Sequence, residues 1–327
     1  MPQDTPRAMP AEPTQELLVA IEGTGSERGV LSIAELLSRR ERVNAHLVGV
    51  DNPSSGTSAL TPQERSDILA AQHSRLLARI RRVLHHVVGR GAYWSVDAAL
   101  GTPLEVLADE TRKGHTRLIL LELPELGRNR PGAAATLMKI VAAVDIPVLA
   151  VPSNQERLPT RLLVATDFSS ACTRAARAAL SVLGPRGHAT LVHVQPETDG
   201  DALGQRGLRR ASGDGLARRF EELRQELDDA ARHSIVPRHE PTSIVNDTVL
   251  LRGEPAPAIL EYAATHRTDL IALGTRRLRV HDMVPLGSVS MAVLRGSRCA
   301  VLLARPSARR RVRGPTDPFF KAHHTAT

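Results

Sequence analysis

"RLLVATDFSSACTRAARAALSVLGPRGHATLVHV", residues 161–194, reads as strand, turn, helix, turn, strand. "LLVA" (162–165) is a short unbroken apolar run, the pattern of a strand buried on both faces. It ends in "TDFSS", after which "SACTRAARAALSVLG" (170–184) places apolar residues at helical spacing until Gly184-Pro185 stops it. "TLVHV" (190–194) is the second strand. Two strands joined through a helix form a βαβ unit, with parallel strands and a right-handed crossover.

The same unit occurs earlier in the chain. "LLVA" is also found at 17–20, and "HLVGV" (46–50) matches "TLVHV". Further on, "GTP" (101–103) matches "GEP" (253–255), Leu118-Ile119 matches Leu270-Ile271, and "IPVLAV" (146–151) matches "CAVLLA" (299–304). The five matches are colinear, with an offset drifting from 145 to 153 residues, which marks an internal repeat. Its main jump, about eight residues, falls between the second and third matches, so the second copy has the longer connection there. Helical patterns separate the strands at 32–43, 62–88 and 104–114 in the first copy, and at 170–184, 215–233 and 256–266 in the second. The expected fold is α/β, with two tandem doubly wound domains, each a five-stranded parallel sheet flanked by helices. The boundaries read as a disordered N-terminus (1–14), a first domain (15–151), a linker (152–160), a second domain (161–305) and a basic disordered tail (306–327).

Composition agrees with that class. Hydrophobic residues make up 42% of the 327-residue chain but aromatics only 2%, so Ala, Val, Leu and Ile must build the cores. Scarce aromatics also argue against stacking on single-stranded nucleic acid. The net charge of +8 is concentrated: residues 305–327 carry +5, so nucleic acid is expected to meet weak tail contacts at most. Two cysteines, Cys172 and Cys299, imply neither a disulfide framework nor a zinc site, and both read as small apolar residues. The first fifteen residues lack a signal-peptide pattern, and no apolar run approaches a membrane span. A cytoplasmic protein without a membrane partner is expected.

In an open parallel sheet, ligands bind beyond the C-terminal strand ends where the strand order reverses. Asp167 ends one strand of the second copy and Gly274 ends another. Gly287-Ser288 opens the last helix. Ser288 is read as its N-cap, leaving free N–H groups for an anion, and Gly287 lets the backbone come close. Asp167 suits a hydrogen bond from an adenine amine or a ribose hydroxyl.

The second copy resembles a universal stress protein (UspA) domain, and the duplication resembles a tandem member of that family. The resemblance spans about residues 15–151 and 158–305. It rests on the strand-ending Asp167, then Gly274, then nine residues (278–286) before Gly287-Ser288; Arg277 departs from the second Gly of the family's Gly-x-x-Gly. It implies an adenine nucleotide alpha hydrolase-like, Rossmann-like fold, and a bound adenine nucleotide, ATP or another. Ala165, Thr166 and Asp167 would contact adenosine and Val194 would flank adenine. Gly274, Arg276, Gly287, Ser288, Val289 and Ser290 would surround ribose and phosphates. Arg277 is counted with these site residues, and is expected to weaken the site through lost backbone freedom. The resemblance further implies pairing through fifth strands, here an intramolecular pseudo-dimer, with a homodimer also open.

The first copy lacks the pattern. Glu22 stands where Asp167 does, Glu122 stands where Gly274 does, and "GAAAT" (132–136) has no Gly-Ser. It is expected to be a structural half. His85-His86 in a helical pattern and His281-Asp282 in the loop read as surface residues, and no P-loop, HExxH or GxSxG motif is present. The expected function is a nucleotide-binding regulatory or stress-response module. A slow ATPase and a nucleotide-independent interaction scaffold remain open alternatives.

Overall fold

Four of the five repeated matches read from the sequence lie in strands, whereas the third, "GTP" and "GEP", falls on the turns that open helices. A computed structural model of the chain describes residues 16–52, 61–89, 94–123, 132–195, 208–232, 243–275 and 287–307. The first half contains β1 (Glu16–Ile21), α1 (Arg28–Glu41), β2 (Asn44–Asp51), α2 (Pro62–Val87), β3 (Trp94–Leu100), α3 (Pro103–Arg112), β4 (Thr116–Glu122), α4 (Ala133–Ala143) and β5 (Val148–Val151). The second half repeats the order with β6 (Arg161–Ala165), α5 (Ser170–Val182), β7 (His188–Gln195), α6 (Leu208–Arg232), β8 (Val245–Arg252), α7 (Pro255–Thr265), β9 (Leu270–Gly274), α8 (Ser288–Gly296) and β10 (Ala300–Ala304).

The strands form one ten-stranded sheet in the order β3-β2-β1-β4-β5-β10-β9-β6-β7-β8. Within each half every pairing is parallel. The halves meet through one antiparallel pairing, with Val301, Leu302 and Leu303 opposite Ala150, Leu149 and Val148. These two strands, "VLAV" and "AVLLA", are buried along their whole length. Each would otherwise be an apolar edge with unpaired backbone groups, and each covers the other. The antiparallel join places the C-terminal strand ends of the two halves at opposite edges of the sheet.

Helices cover both faces, as alternating strand residues require. On one face Leu162, Val164, Leu270 and Ala272 pack with Ala175, Ala176 and Ala179 of α5, and Leu17 and Val19 pack with Leu31 and Leu37 of α1. On the other, Leu163, Ile271 and Leu303 pack with Ile259 of α7 and Val293 of α8, and Leu18 and Ile119 pack with Leu137 of α4. The alanine-rich inner side of α5 lets that helix lie close to the sheet.

Helix starts follow local chemistry where a cap is present. Thr61-Pro62 and Thr102-Pro103 each open a capping box, closed by Glu64 and Glu105 respectively. The sequence reading placed the first helix at 32–43, whereas α1 begins at Arg28. Gly29 lies in that missed turn, and a Cβ there would stand 2.0 Å from the Pro152 carbonyl oxygen. The turn is helical because it packs against the chain leaving β5. The start of α6 also precedes the expected 215.

Arginines tie the halves together. Arg40 of α1 donates to the Leu183 carbonyl at 2.5 Å and to the Ser181 carbonyl, at the C-terminal end of α5. Arg305, just after β10, donates to the Ala142 carbonyl at the end of α4. Both satisfy carbonyls that a helix C-terminus leaves unpaired, and both oppose its negative dipole end. Arg174 of α5 reaches Asp145, bonding its carboxylate at 2.7 Å and its carbonyl at 2.6 Å.

Candidate functional site

The strand order of the second half reverses between β6 and β9, since β6 leads to β7 on one side and β9 leads to β10 on the other. Ala165 and Leu273 face each other in register near the ends of these strands, so Asp167 and Gly274 follow neighbouring strands at the same end of the sheet. Ala165 and Thr166 are buried, whereas Asp167 is exposed.

Thr166 and Asp167 are held by a tight turn. The Thr166 hydroxyl accepts from the Phe168 N–H at 2.8 Å, and Asp167 Oδ1 accepts from the Ser169 N–H at 3.0 Å. Between them Phe168 takes φ +60, a left-handed conformation uncommon for an aromatic residue. Its ring lies 5.1 Å from both the His193 and the Phe220 rings, with the Arg219 guanidinium 4.6 Å above it. His193 Nδ1 donates to the Thr166 carbonyl at 2.7 Å, an assignment required because a carbonyl only accepts. Val194, the next residue, is half-buried near the end of β7. The aromatic contacts therefore fix the turn that presents Asp167. Sequence reasoning passed over Phe168, His193 and Ser169, although "DFSS" carries a visible helix-cap signal: Ser169 is the N-cap of α5.

Cys172 Sγ donates to Asp167 Oδ1 at 3.0 Å. Burial above all, and then the negative charge of Asp167, push this thiol up from its ordinary pKa, so it stays protonated and donates. Cys299 is likewise raised, mainly by burial. A nucleophilic thiolate needs the opposite environment.

Gly274 has a packing role that spacing alone did not show. A Cβ there would lie 2.5 Å from the Cys172 nitrogen and 2.7 Å from the Ala171 carbonyl carbon. Only glycine lets the first turn of α5 come this close to β9. The cap of α8 is a correction: Gly287, at φ +50, is the N-cap, and Ser288 is the first helical residue. Gly287 has no side chain with which to cap this helix, so in place of a serine cap the first turn has only its backbone N–H groups, which lack intrahelical partners. Ser288 is exposed and Val289 half-buried. Ser290 is buried, and its hydroxyl donates to the Gly274 carbonyl at 3.3 Å, linking α8 to the end of β9. Arg276, Arg277 and His281-Asp282 lie outside the described residues.

The first half has the same frame with different chemistry. Leu17 pairs with Leu118 as Leu162 pairs with Leu270, so Glu22 and Glu122 occupy the places of Asp167 and Gly274. Ser26 donates to the Glu122 carboxylate at 3.0 Å, and Arg79 donates to the Glu22 carbonyl at 2.6 Å. Glu27 is only 1% exposed, and its carboxylate accepts from the Thr24 and Gly25 N–H groups at 2.7 Å each. That buried carboxylate gathers the backbone donors of the β1–α1 loop, a feature the sequence reading missed.

Residues 159–305 match the model of the universal stress protein family. A universal stress protein of Thermus aquaticus is 35% identical over 144 residues, a stretch covering 44% of this chain and 97% of that protein. The chain belongs to the universal stress protein family. A universal stress protein of Methanocaldococcus jannaschii is 27% identical over 156 residues, covering 46% of this chain and 85% of the relative. The crystal structure of a universal stress protein from Archaeoglobus fulgidus aligns with a TM-score of 0.61 at 18% identity, covering 89% of this chain and 98% of that one. That likeness extends the universal stress protein fold over both halves. Among the described residues no helix is long and apolar enough to cross a membrane, and no group of His, Cys, Asp and Glu is arranged to hold a metal ion.

Proposed function

We propose that this universal stress protein is a cytoplasmic regulatory module that holds an adenine nucleotide, ATP foremost, in the crevice of its second domain (161–305). The observation that carries the reading is the shared edge: an exposed, oriented Asp167 follows β6, and the N-terminus of α8, which begins at the glycine cap Gly287, is tied through Ser290 to the end of β9, the two strands between which the order reverses. A carboxylate there accepts from an adenine amine or a ribose hydroxyl. Free N–H groups and the positive dipole end favour phosphate, and Gly287 keeps a Cβ out of its path. The residues present therefore fit the nucleotide. The first domain (15–151), joined through 152–160, serves as a structural half, because Glu22, Glu27 and Glu122 crowd the equivalent edge with carboxylates.

Two measurements test this. Mass spectrometry of small molecules released from the freshly purified protein should find an adenine nucleotide. In titration calorimetry, Ser288→Glu should abolish ATP binding by setting a carboxylate at the helix N-terminus. Ala133→Glu, the equivalent place after the Gly132 cap of α4, should leave affinity unchanged. Equal losses from the two changes would show that the site is not confined to the second domain, and an absence of heat in the parent protein would favour a nucleotide-independent scaffold.

A further inference from the structure

The opposite edge of the second half carries a separate group of cations. Strands of five residues put it about 16 Å from the Asp167 crevice. A groove of about 610 Å³ opens there, between the chain leaving β5, the start of β6, and the turns leading into β9 and β10. Arg157, Arg161, Arg267 and Arg298 line it, and all four are exposed.

Two carboxylates share the groove, and both are committed elsewhere. Glu156 pairs with Arg28 at 2.8 Å. Asp269 accepts from the Thr160 N–H at 3.0 Å, the Thr160 hydroxyl at 3.1 Å and the Arg161 N–H at 2.7 Å. Among the described residues none of the four guanidiniums forms an ion pair or donates a hydrogen bond.

A simpler account would make Arg267 and Arg298 helix-end cations, since they follow α7 and α8 by two residues each. This molecule shows what that role looks like. The Arg40 and Arg305 guanidiniums donate into the terminal carbonyls of α5 and α4, whereas among the described residues those of Arg267 and Arg298 make no such bond. Arg267 also takes φ +52 at a helix end, where glycine is favoured, so the position carries a long cation at a conformational cost.

We propose that this groove is a second binding site, independent of the nucleotide crevice, for a small molecule carrying several linked phosphates. The guanidinium fork matches phosphate oxygens in pairs. The volume falls in the range of small-molecule sites. Among the described residues no aromatic side chain lines the groove, so they offer no platform for stacking bases, and recognition rests on the phosphates.

Inorganic tripolyphosphate is the probe, titrated calorimetrically into the full chain at one fixed salt concentration. The parent protein should bind it. Arg161→Gln combined with Arg298→Gln should weaken binding on the order of tenfold to a hundredfold, as expected for losing charge-assisted contacts. An unchanged melting midpoint shows that this exposed pair leaves the fold intact. If the midpoint shifts, Arg161→Lys with Arg298→Lys keeps the charge but loses the fork, and should fall between the two. The rival sites are the nucleotide crevice, removed by Ser288→Glu, and the basic tail, removed by changing Arg309, Arg310, Arg311 and Arg313 to Gln. Binding lost in either rival variant and kept in the groove variant overturns the proposal. Equal losses in all three mean diffuse attraction and overturn it too, as does a single-stranded oligonucleotide that binds the groove arginines more tightly than tripolyphosphate. No heat from the parent protein ends the proposal without touching the nucleotide reading, which stands on the ATP titration.

Discussion

Gly274 and Gly215 are the same residue under opposite constraints. A methyl group at Gly274 meets backbone atoms of α5 at 2.5 and 2.7 Å, which no rotamer change relieves. Gly274→Ala should therefore destabilise the protein by about 1–3 kcal/mol, the usual cost of overpacking. At Gly215, in α6, nothing lies within 4 Å, and Gly215→Ala should stabilise by roughly 0.5–1 kcal/mol through reduced backbone freedom. Urea unfolding of both variants beside the parent checks the pair, and a neutral Gly274→Ala would mean that α5 does not rest on β9 this tightly. The position of Gly274 after a strand was legible in the sequence. Its reason was not, because the contact joins residues about a hundred positions apart.

Among the elements, α2 and α3 announce themselves. "TPQE" (61–64) and "TPLE" (102–105) hold a threonine cap, a proline in the first turn and a glutamate placed to close the box, and the structure contains both boxes. The threonine hydroxyl, and then its backbone N–H, hold the Glu64 and Glu105 carboxyls below their ordinary pKa. A lowered folded pKa means that this stabilisation is complete above the ordinary glutamate value and is lost as pH falls through the folded one. The stability gap between parent and Glu105→Ala should thus be present near neutral pH and shrink in acid below the ordinary glutamate range. A gap that widens on acidification would contradict the capping role. Where no local cap is written, sequence reading slipped: α1 starts earlier than expected, and α8 takes Gly287 as its cap.

For the whole molecule, the seam between β5 and β10 decides behaviour. Residues 148–151 and 300–304 are buried only because each half supplies the other's edge. Expressed alone, residues 15–151 or 161–305 should self-associate or aggregate, since either half exposes an apolar strand with free backbone groups. The tether holds the partner at an effective concentration on the order of millimolar in the intact chain. Sizing chromatography of the two halves reads the outcome, and two well-behaved monomers that ignore each other would refute it.

Sequence alone determined the α/β class and eight of the ten strands, because a strand buried on both faces must be a short apolar run wherever it occurs, whereas the half-exposed β3 and β8 carry no such run. It also placed Asp167 and Gly274 at strand ends, since a strand terminates where its apolar run gives way to turn residues. Tertiary structure decided the rest. The continuity of one ten-stranded sheet depends on the pairing of residues 148–150 with 301–303, whose register no local pattern specifies. The Phe168 turn, the buried Glu27 carboxylate and the arginine groove likewise assemble groups that meet only after the chain folds. Periodicity reports which residues turn inward; only the packed structure determines which residues they meet.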